Sequence, residues 1–203
     1  MIGTAKAPTQ AAVLELKNEQ AVVREAYVFL DEKRLLLASE LLRQLRIYQE
    51  LKKEFDALQA KARNAMEKAV MHHGLDGLQV YPPGSFQGAE HKQIRRNFMG
   101  VELVETELLM EKIADTSTAP ANPSVKADDC ARLFAEIVVK SAVLAGVNGN
   151  LYRLLAEYRI TERRSRALEN IILPEIEQSL REMSSHLEEL ELEDAIRVRL
   201  QSK

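Results

Sequence analysis

Apolar side chains recur every three or four residues over two long stretches of this chain. The first stretch runs from about Thr9 to Met71 and contains neither proline nor glycine. Thr9 is of a residue type that caps helix N-termini. Steps of three and four residues are typical of a coiled-coil seam, and they connect Leu35, Ala38, Leu42, Leu45, Tyr48, Leu51, Phe55, Leu58, Ala62, Ala65 and Ala69. The pattern predicts one helix of about 90 Å.

The second stretch runs from about Ser124 to Leu200, and its apolar spacing changes part-way along. Steps of three and four connect Leu144, Val147, Leu151, Leu154 and Tyr158, whereas steps of four connect Leu168, Ile172, Ile176 and Leu180. Successive four-residue steps are a stutter, which locally unwinds a left-handed supercoil. Pro174 lies inside this stutter, lacks a backbone N–H and clashes with the carbonyl of Asn170. We therefore expect a kink or bend at this proline.

The segment between the two stretches has a different composition. Residues 72–123 hold five of the eight glycines and four of the six prolines. Two short runs, Leu78–Tyr81 and Phe98–Val104, predict the strands of a small β-hairpin. A basic patch would lie between these strands: Lys92, Arg95 and Arg96.

Two long helices separated by a small insertion most simply fold back as an antiparallel coiled coil, because each apolar stripe must be covered. The sequence therefore predicts an all-α dominated fold in three parts. These are an N-terminal coiled-coil helix (1–71), a central insertion with a β-hairpin and linker (72–123) and a C-terminal coiled-coil helix (124–203).

Antiparallel pairing would bring two basic clusters of the sequence together. If the helix ends are flush, the numbers of facing residues sum to roughly 200. Lys33 and Arg34 then lie level with the cluster Arg163, Arg164 and Arg166, and the five cations form a positive collar. A plain solvated helix face remains the alternative, since runs of charge usually are solvated surface.

Composition limits the class of protein. The chain has 203 residues and a formal net charge of −3, which gives no reason to expect nucleic-acid binding. No window approaches 18 uncharged apolar residues, and the N-terminus has no apolar secretory segment. Cys130 is the single cysteine, so no intramolecular disulfide can form and a reducing compartment is the default. We expect a cytoplasmic chain that is not inserted into a membrane.

The sequence offers little catalytic chemistry. The stretch Gly146–Gly149 lacks the Lys and hydroxyl residue of a phosphate-binding loop, so its glycines are expected to allow a close approach or a kink. A conceivable metal cluster consists of His72, His73, Asp76, Glu90 and His91. Adjacent histidines on a helix point in different directions, which favours ordinary surface histidines. We predict no catalytic residue, no metal site and no cofactor.

One C-terminal segment is distinctive enough to suggest a family. It contains Thr161-Glu162-Arg163-Arg164, Ala167-Leu168-Glu169, Ile172-Leu173-Pro174 and Ile176-Glu177. Supporting segments are Leu14–Lys17, Asp31–Arg34 and Asn97–Val101. Together they make the chain resemble the D subunit of the V-type and archaeal A-type rotary ATPases, the axle of the central stalk. Ser165, Arg166 and Phe98 depart from the pattern expected of that family.

The resemblance implies a non-catalytic subunit of an ATP synthase or ion-translocating ATPase, peripheral to the membrane. Its partners would be the A and B subunits of the catalytic hexamer, the F subunit and the socket subunit, which is called C or d. It would carry torque between the hexamer and the membrane rotor.

The resemblance also implies roles for particular residues. The collar of Lys33, Arg34, Arg163, Arg164 and Arg166 would contact the hexamer. The F subunit and the foot of the stalk would be contacted through Val80, Tyr81, Asn97, Met99, Gly100 and Val101. A structural role in shaping the helix would fall to Leu168, Ile172 and Pro174.

Two other classes of protein remain open on the pattern alone. Heptad periodicity would equally suit a coiled-coil adaptor or holdase-like binding protein unrelated to rotary ATPases. The histidines around residues 72–91 leave a helical metalloenzyme as a further alternative.

Overall fold

The structure, a computed structural model, describes residues 9–81, 89–110 and 122–201. In chain order its elements are α1 (Gln10–Gln79), β1 (Ala89–Phe98), β2 (Val101–Met110), α2 (Val125–Ala167), a π-helical turn (Leu168–Ile172) and α3 (Leu173–Gln201). The predicted fold class, two long helices with a small hairpin between them, is confirmed. Among the described residues, no helix combines the length and the apolar character needed to cross a bilayer.

Helix α1 begins as the sequence predicts and runs further than expected. Its first turn is capped by Thr9, whose Oγ1 accepts a hydrogen bond of 3.2 Å from the N–H of Ala12. The helix extends past Met71 to Gln79, but it is interrupted at Gly74, where φ is 71° and ψ is 169°. A positive φ is accessible to glycine at little cost. The first glycine after the glycine-free run therefore interrupts the regular helix.

The prediction of a strand at Leu78–Tyr81 is wrong. Leu78 and Gln79 belong to α1, and the N–H of Tyr81 closes a turn onto the Leu78 carbonyl at 3.1 Å. In a run of only four residues, periodicity alone does not distinguish a strand from the last turn of a helix.

The hairpin is built from two antiparallel ten-residue strands, and its first strand lies later in the chain than predicted. The register runs from Phe98 opposite Val101 to Ala89 opposite Met110. The two-residue loop has positive φ at Met99 (50°) and at Gly100 (84°), as a type I′ turn requires.

The basic patch therefore belongs to β1 and does not lie between the strands, and the run Phe98–Val104 spans the turn. Side chains 90–97 of β1 are all exposed. This strand consequently lacks the alternation of apolar and polar residues that reveals a half-buried strand.

Contacts within the chain divide it into two compact units. Met1–Leu36 and Tyr158–Lys203 form one, called the terminal unit, and Leu37–Glu157 forms the other, called the hairpin unit. Helix α1 and helix α2 each contribute to both.

Each unit contains an antiparallel helix pair. In the terminal unit Arg24 on α1 forms an ion pair of 2.9 Å with Glu177 on α3. In the hairpin unit Glu54 on α1 pairs with Lys140 on α2 at 2.5 Å. The numbers of these partners sum to roughly 200, as expected for a flush antiparallel coil. The predicted register is confirmed in both units.

The predicted seam of α1 is correct in its second half. Every seam position from Tyr48 to Ala69 is buried or half-buried, and Ala62 and Ala69 are fully buried. Small residues at these positions let the two helices approach closely.

Upstream of Tyr48 the predicted seam is wrong. Leu35 and Leu42 are 62% and 55% exposed, whereas Leu37, Glu40 and Gln44 are buried. Leucines surround the helix at this level, so the spacing of apolar residues fits more than one face. Two of the buried side chains, Glu40 and Gln44, are also polar, so the spacing of apolar residues did not predict the observed seam.

The irregularity predicted at Pro174 is present as a π-helical turn immediately before it. The N–H of Leu173 bonds to the carbonyl of Leu168, five residues earlier, as in a π-helix. A wider turn accommodates an extra residue, which matches the four-residue apolar steps in this segment. Beyond the turn the seam resumes at Ile176, which is buried.

Candidate partner-binding surfaces

The five collar residues all belong to the terminal unit, on two facing helices. Tyr27 interacts with Glu169, and Arg24 pairs with Glu177. Continuing from Tyr27 and Glu169 by two helical turns places Arg34 level with residue 162 and Lys33 level with residue 163. The two basic clusters are thus brought to the same level of the helix pair.

Acidic neighbours neutralise part of the collar. Arg34 lies 2.6 Å from Oδ1 of Asp31, and Arg166 forms an ion pair of 2.7 Å with Glu162. The Asp31 oxygen is buried and accepts no well-directed hydrogen bond, so its link to Arg34 is an ion-pair contact.

The uncompensated charge of the collar lies on neighbouring residues of α2. The Arg163 side chain donates a hydrogen bond of 3.3 Å to the carbonyl of Arg159. Arg164 is exposed and has no ion pair within the described part of the chain. Arg163 and Arg164 therefore present the collar's positive charge to solvent.

Beneath the collar, two small polar residues occupy the seam. Thr161 and Ser165 are each 1% exposed and lie four residues apart, on one face of the helix. They continue the spacing of Leu154 and Tyr158, which is the signal that could have assigned them to the seam. Ser165, one of the departures from the family pattern, is thus a packing residue.

Two cross-helix contacts lie on either side of Pro174. On one side, the negative charge of Glu169 in the π-helical turn raises the pKa of the Tyr27 phenol. On the other side, Glu177 accepts hydrogen bonds from Gln20 at 3.2 Å and from Arg24 at 2.9 Å. The irregular segment is thereby held against α1 at both ends.

A buried carboxylate attaches the hairpin to α1. Glu40 accepts two hydrogen bonds from Arg43, at 2.7 and 2.6 Å, and one from Gln44 at 3.0 Å. Arg96 of β1 reaches the same carboxylate at 3.3 Å. Hydrogen bonding from Arg43 holds the pKa of Glu40 below its usual value. Sequence reasoning missed this site, because a glutamate between leucines in a helix resembles a surface residue.

A buried amide attaches the hairpin to α2. Asn150 is 3% exposed. Its Oδ1 accepts from the N–H of Val104 at 2.8 Å, and its Nδ2 donates to the Val104 carbonyl at 2.9 Å. Nearby, a Cβ on Gly146 would come within 2.7 Å of the Thr106 hydroxyl. The close approach predicted for the Gly146–Gly149 stretch is confirmed.

The residues predicted to bind the F subunit and the foot fall into two separate groups. Asn97, Met99, Gly100 and Val101 lie at the hairpin turn, where Oδ1 of Asn97 accepts a hydrogen bond of 3.1 Å from the Gly100 N–H. Val101 is buried, and Met99 is 40% exposed.

The second group, Val80 and Tyr81, lies at the far end of α1. Tyr81 donates a hydrogen bond to the Asn122 carbonyl and stands edge-on to His73. The hairpin turn contacts α1 near Glu40 instead, which is about 60 Å of helix away from Val80. The structure therefore does not bring the two groups together.

The histidines have packing partners of their own. His73 forms a hydrogen bond of 2.5 Å with Ser124, which joins the end of α1 to the start of α2.

Burial raises the pKa of the Cys130 thiol, which contacts the sulfur of Met66 at 3.7 Å. In the part of the chain that the structure describes, no three His, Cys, Asp or Glu residues form a group that could hold a metal ion.

Comparison with known proteins identifies the family. The family of ATP synthase D subunits matches residues 12–202 of the chain. This chain belongs to that family. It is 27% identical over 199 residues to the V-type ATP synthase D subunit of Thermotoga neapolitana, and the match covers 95% of each chain.

Archaeal relatives match over the same extent. The chain is 30% identical over 197 residues to the A-type ATP synthase D subunit of Pyrococcus horikoshii and to that of Thermococcus sibiricus. Each match covers 95% of this chain and 91% of the relative. The resemblance inferred from the C-terminal segment is confirmed.

Proposed function

We propose that this chain is the central-stalk axle of a V/A-type rotary ATPase. It would carry torque between the hexamer of A and B subunits and the membrane ion-translocating rotor, and it would have no catalytic role of its own. The proposal rests on membership of the D-subunit family together with an antiparallel helix pair whose register is the same in both units. Its location would be cytoplasmic and peripheral to the membrane.

Resistance to twisting is the property that such an axle needs. Exposed ion pairs such as Arg24–Glu177 each contribute roughly 0–1 kcal/mol, so they specify register more than they stabilise the pair. The buried seam supplies most of the cohesion through apolar contact. The contacts on both sides of Pro174 would keep the π-helical turn from acting as a hinge under load.

The collar is proposed to contact the catalytic hexamer, chiefly through Arg163 and Arg164. Two adjacent exposed guanidinium groups can form bidentate hydrogen bonds with carboxylates of the surrounding hexamer. Lys33 and Arg34 lie at the same level, so an off-axis charged surface would be presented to whichever subunit faces it.

The two remaining groups are proposed to bind different partners. The hairpin, with Asn97, Met99, Gly100 and Val101 at its turn, would bind the F subunit. The end of α1 around Val80 and Tyr81 would form the foot that meets the C/d socket subunit. The three-part division at residues 71/72 and 123/124 remains part of this proposal.

Reversal of charge at the collar tests the proposal. The double variant Arg163→Glu/Arg164→Glu should lower ATPase activity of the reassembled complex, or its yield, by about tenfold or more, because like charges placed across an interface cost several kcal/mol. The matched control Arg46→Glu/Lys53→Glu makes the same charge change on exposed positions of α1 in the hairpin unit and should have little effect.

Equal behaviour of the two double variants would contradict the role of the collar. Failure of the wild-type chain to co-purify with A and B subunits would contradict the axle itself, and would favour the coiled-coil adaptor.

A further inference from the structure

The backbone of β1 has an edge that faces away from β2. The Asn150 side chain binds both the N–H and the C=O of Val104, so these two groups of β2 point away from β1. Arg95 is opposite Val104. It therefore forms a non-hydrogen-bonded pair, and its own N–H and C=O point away from β2 on the other side.

The same orientation recurs at every second residue of β1. Because the orientation of the backbone groups alternates along an antiparallel ladder, the N–H and C=O groups of four residues point away from β2: His91, Gln93, Arg95 and Asn97. The type I′ turn leads to the same assignment. In a two-residue hairpin the closing pair, Phe98 with Val101, is hydrogen-bonded, so the next pair, Asn97 with Glu102, is not. The backbone groups at these four odd positions have no hydrogen-bond partner among residues 9–81, 89–110 and 122–201.

This edge has little of the protection found on most edge strands. Proline, bulges, short length or a covering element usually block an open edge. Strand β1 has ten residues without proline, and its pairing with β2 is continuous without a bulge. The charges of Arg95 and Arg96 are paired with Glu102 at 3.1 Å and with Glu40 at 3.3 Å. Glu90 and Lys92 are left as the charged residues of β1 that have no ion pair among the described residues.

The hairpin is also held in place before any partner arrives. Glu40 fixes it to α1 through Arg96, and Asn150 fixes it to α2 through Val104. A strand that is already ordered loses little conformational entropy when another strand pairs with it.

Charge indicates what kind of strand the edge would accept. Strand β1 carries Lys92, Arg95 and Arg96, whereas β2 supplies its acidic cross-strand neighbours Glu102, Glu105 and Glu107. Opposite charges on neighbouring strands are stabilising and like charges are destabilising. A second strand on the free side of β1 should therefore carry acidic residues, as β2 does.

We propose that the free edge of β1 pairs with an extended, acidic segment of a partner protein, which becomes a third strand of the sheet. Main-chain hydrogen bonds at the odd positions would supply affinity, and Lys92, whose charge is not paired among the described residues, would supply selectivity for acidic residues. The inference rests on the proposed function for the partner's identity, the F subunit.

Residue-resolved amide hydrogen exchange, measured on the full chain with and without the F subunit, tests this proposal. In the free chain the amides of His91, Gln93 and Arg95 should exchange quickly, whereas those of Lys92 and Ile94 should already be slow. Binding should slow the odd amides by about tenfold or more. Unchanged odd amides in a complex that forms would overturn strand pairing, yet leave the proposed function intact. If no complex forms, it is the assignment of the F subunit that fails.

A proline substitution provides a second, independent test. Gln93→Pro removes an outward N–H without removing a hydrogen bond to β2, and proline is tolerated on edge strands. It should weaken binding of the F subunit by about tenfold, the effect of about 1.4 kcal/mol. The control Gln93→Val removes the same side chain, keeps the N–H and should bind as the wild type does.

Exchange of the Lys92 and Ile94 amides shows whether the hairpin survives in the proline variant. A folded Gln93→Pro chain that binds as tightly as Gln93→Val would overturn the proposal. If the proline variant loses the hairpin, the proposal is tested by amide exchange of His91, Gln93 and Arg95 in the wild-type complex.

Discussion

Glu40 shows how one buried polar residue can fix the position of a whole element. Its carboxylate is 7% exposed and is surrounded by Arg43, Gln44 and Arg96. Burial of a charge is costly unless it is paired and hydrogen-bonded, and here three donors meet that need. Because one of these donors, Arg96, lies on β1, full hydrogen bonding of the Glu40 carboxylate requires the hairpin to be docked on α1.

We predict that Glu40→Gln destabilises the chain by about 1.5–3 kcal/mol, the range for hydrogen bonds to charged groups. The substitution keeps the size of the side chain but removes the charge that accepts two hydrogen bonds from Arg43. Chemical denaturation at neutral pH measures the loss. Glu54→Gln is the control, because Glu54 pairs with Lys140 in an exposed setting, and its smaller effect should shrink further in high salt.

The same residue predicts a pH dependence. The pKa of Glu40 is lower in the folded chain than its usual value of 4.5, so ionised Glu40 favours folding. Its contribution is complete above pH 4.5 and is lost as the pH falls through the lower, folded-state pKa. The stability difference between wild type and Glu40→Gln should therefore narrow in acid. A difference that stays constant from neutral pH into this range would contradict the assigned role.

At the scale of elements, periodicity predicted those parts whose environment is repetitive. Apolar spacing predicted the seam of α1 from Tyr48 to Ala69. Proline's missing N–H predicted the irregularity before Pro174. Strand β1 could not be predicted in this way, because neither of its faces is apolar. Upstream of Tyr48 the predicted seam is wrong because the polar residues Glu40 and Gln44 are buried where apolar residues were expected. In both cases tertiary contacts override local pattern.

Close packing of the hairpin on α2 predicts opposite effects at two glycines. Alanine normally stabilises a helix relative to glycine by about 0.5–1 kcal/mol. At Gly149 the new Cβ would meet only the Arg153 side chain at 3.6 Å, so Gly149→Ala should stabilise the chain. At Gly146 the new Cβ would lie 2.7 and 3.0 Å from Oγ1 and Cβ of Thr106. Such overpacking costs about 1–3 kcal/mol, so Gly146→Ala should be destabilising.

Thermal or chemical denaturation of the two alanine variants distinguishes these outcomes directly. Hydrogen exchange of β2 should also quicken in Gly146→Ala, because the hairpin is pushed away from α2. If both alanines stabilise the chain to the same degree, then Thr106 does not pack against Gly146 as described.

At the scale of the whole molecule, the antiparallel register was predictable because it depends on chain length and helix ends more than on side-chain detail. Facing pairs in the two units, such as Arg24 with Glu177 and Glu54 with Lys140, follow it. The attachment of the hairpin was not predictable. It depends on Asn150 and Glu40, which lie far from the hairpin in sequence and carry no local signal of a tertiary partner.

The register also predicts which collar positions can be joined covalently. Tyr27 interacts with Glu169, so Arg34, two helical turns further on, should face residue 162 and its neighbours. In a Cys130→Ser background, Arg34→Cys with Glu162→Cys should form a disulfide under mild oxidation, since such bonds need Cα atoms about 4.4–6.8 Å apart. Arg34→Cys with Arg166→Cys, one turn away, should crosslink more slowly and readily only through a longer reagent. Arg34→Cys with Glu182→Cys, about 30 Å along the helix, is the control and should not crosslink. Equal yields from all three pairs, or the highest yield from the Glu182 pair, would contradict both the register and the collar that depends on it.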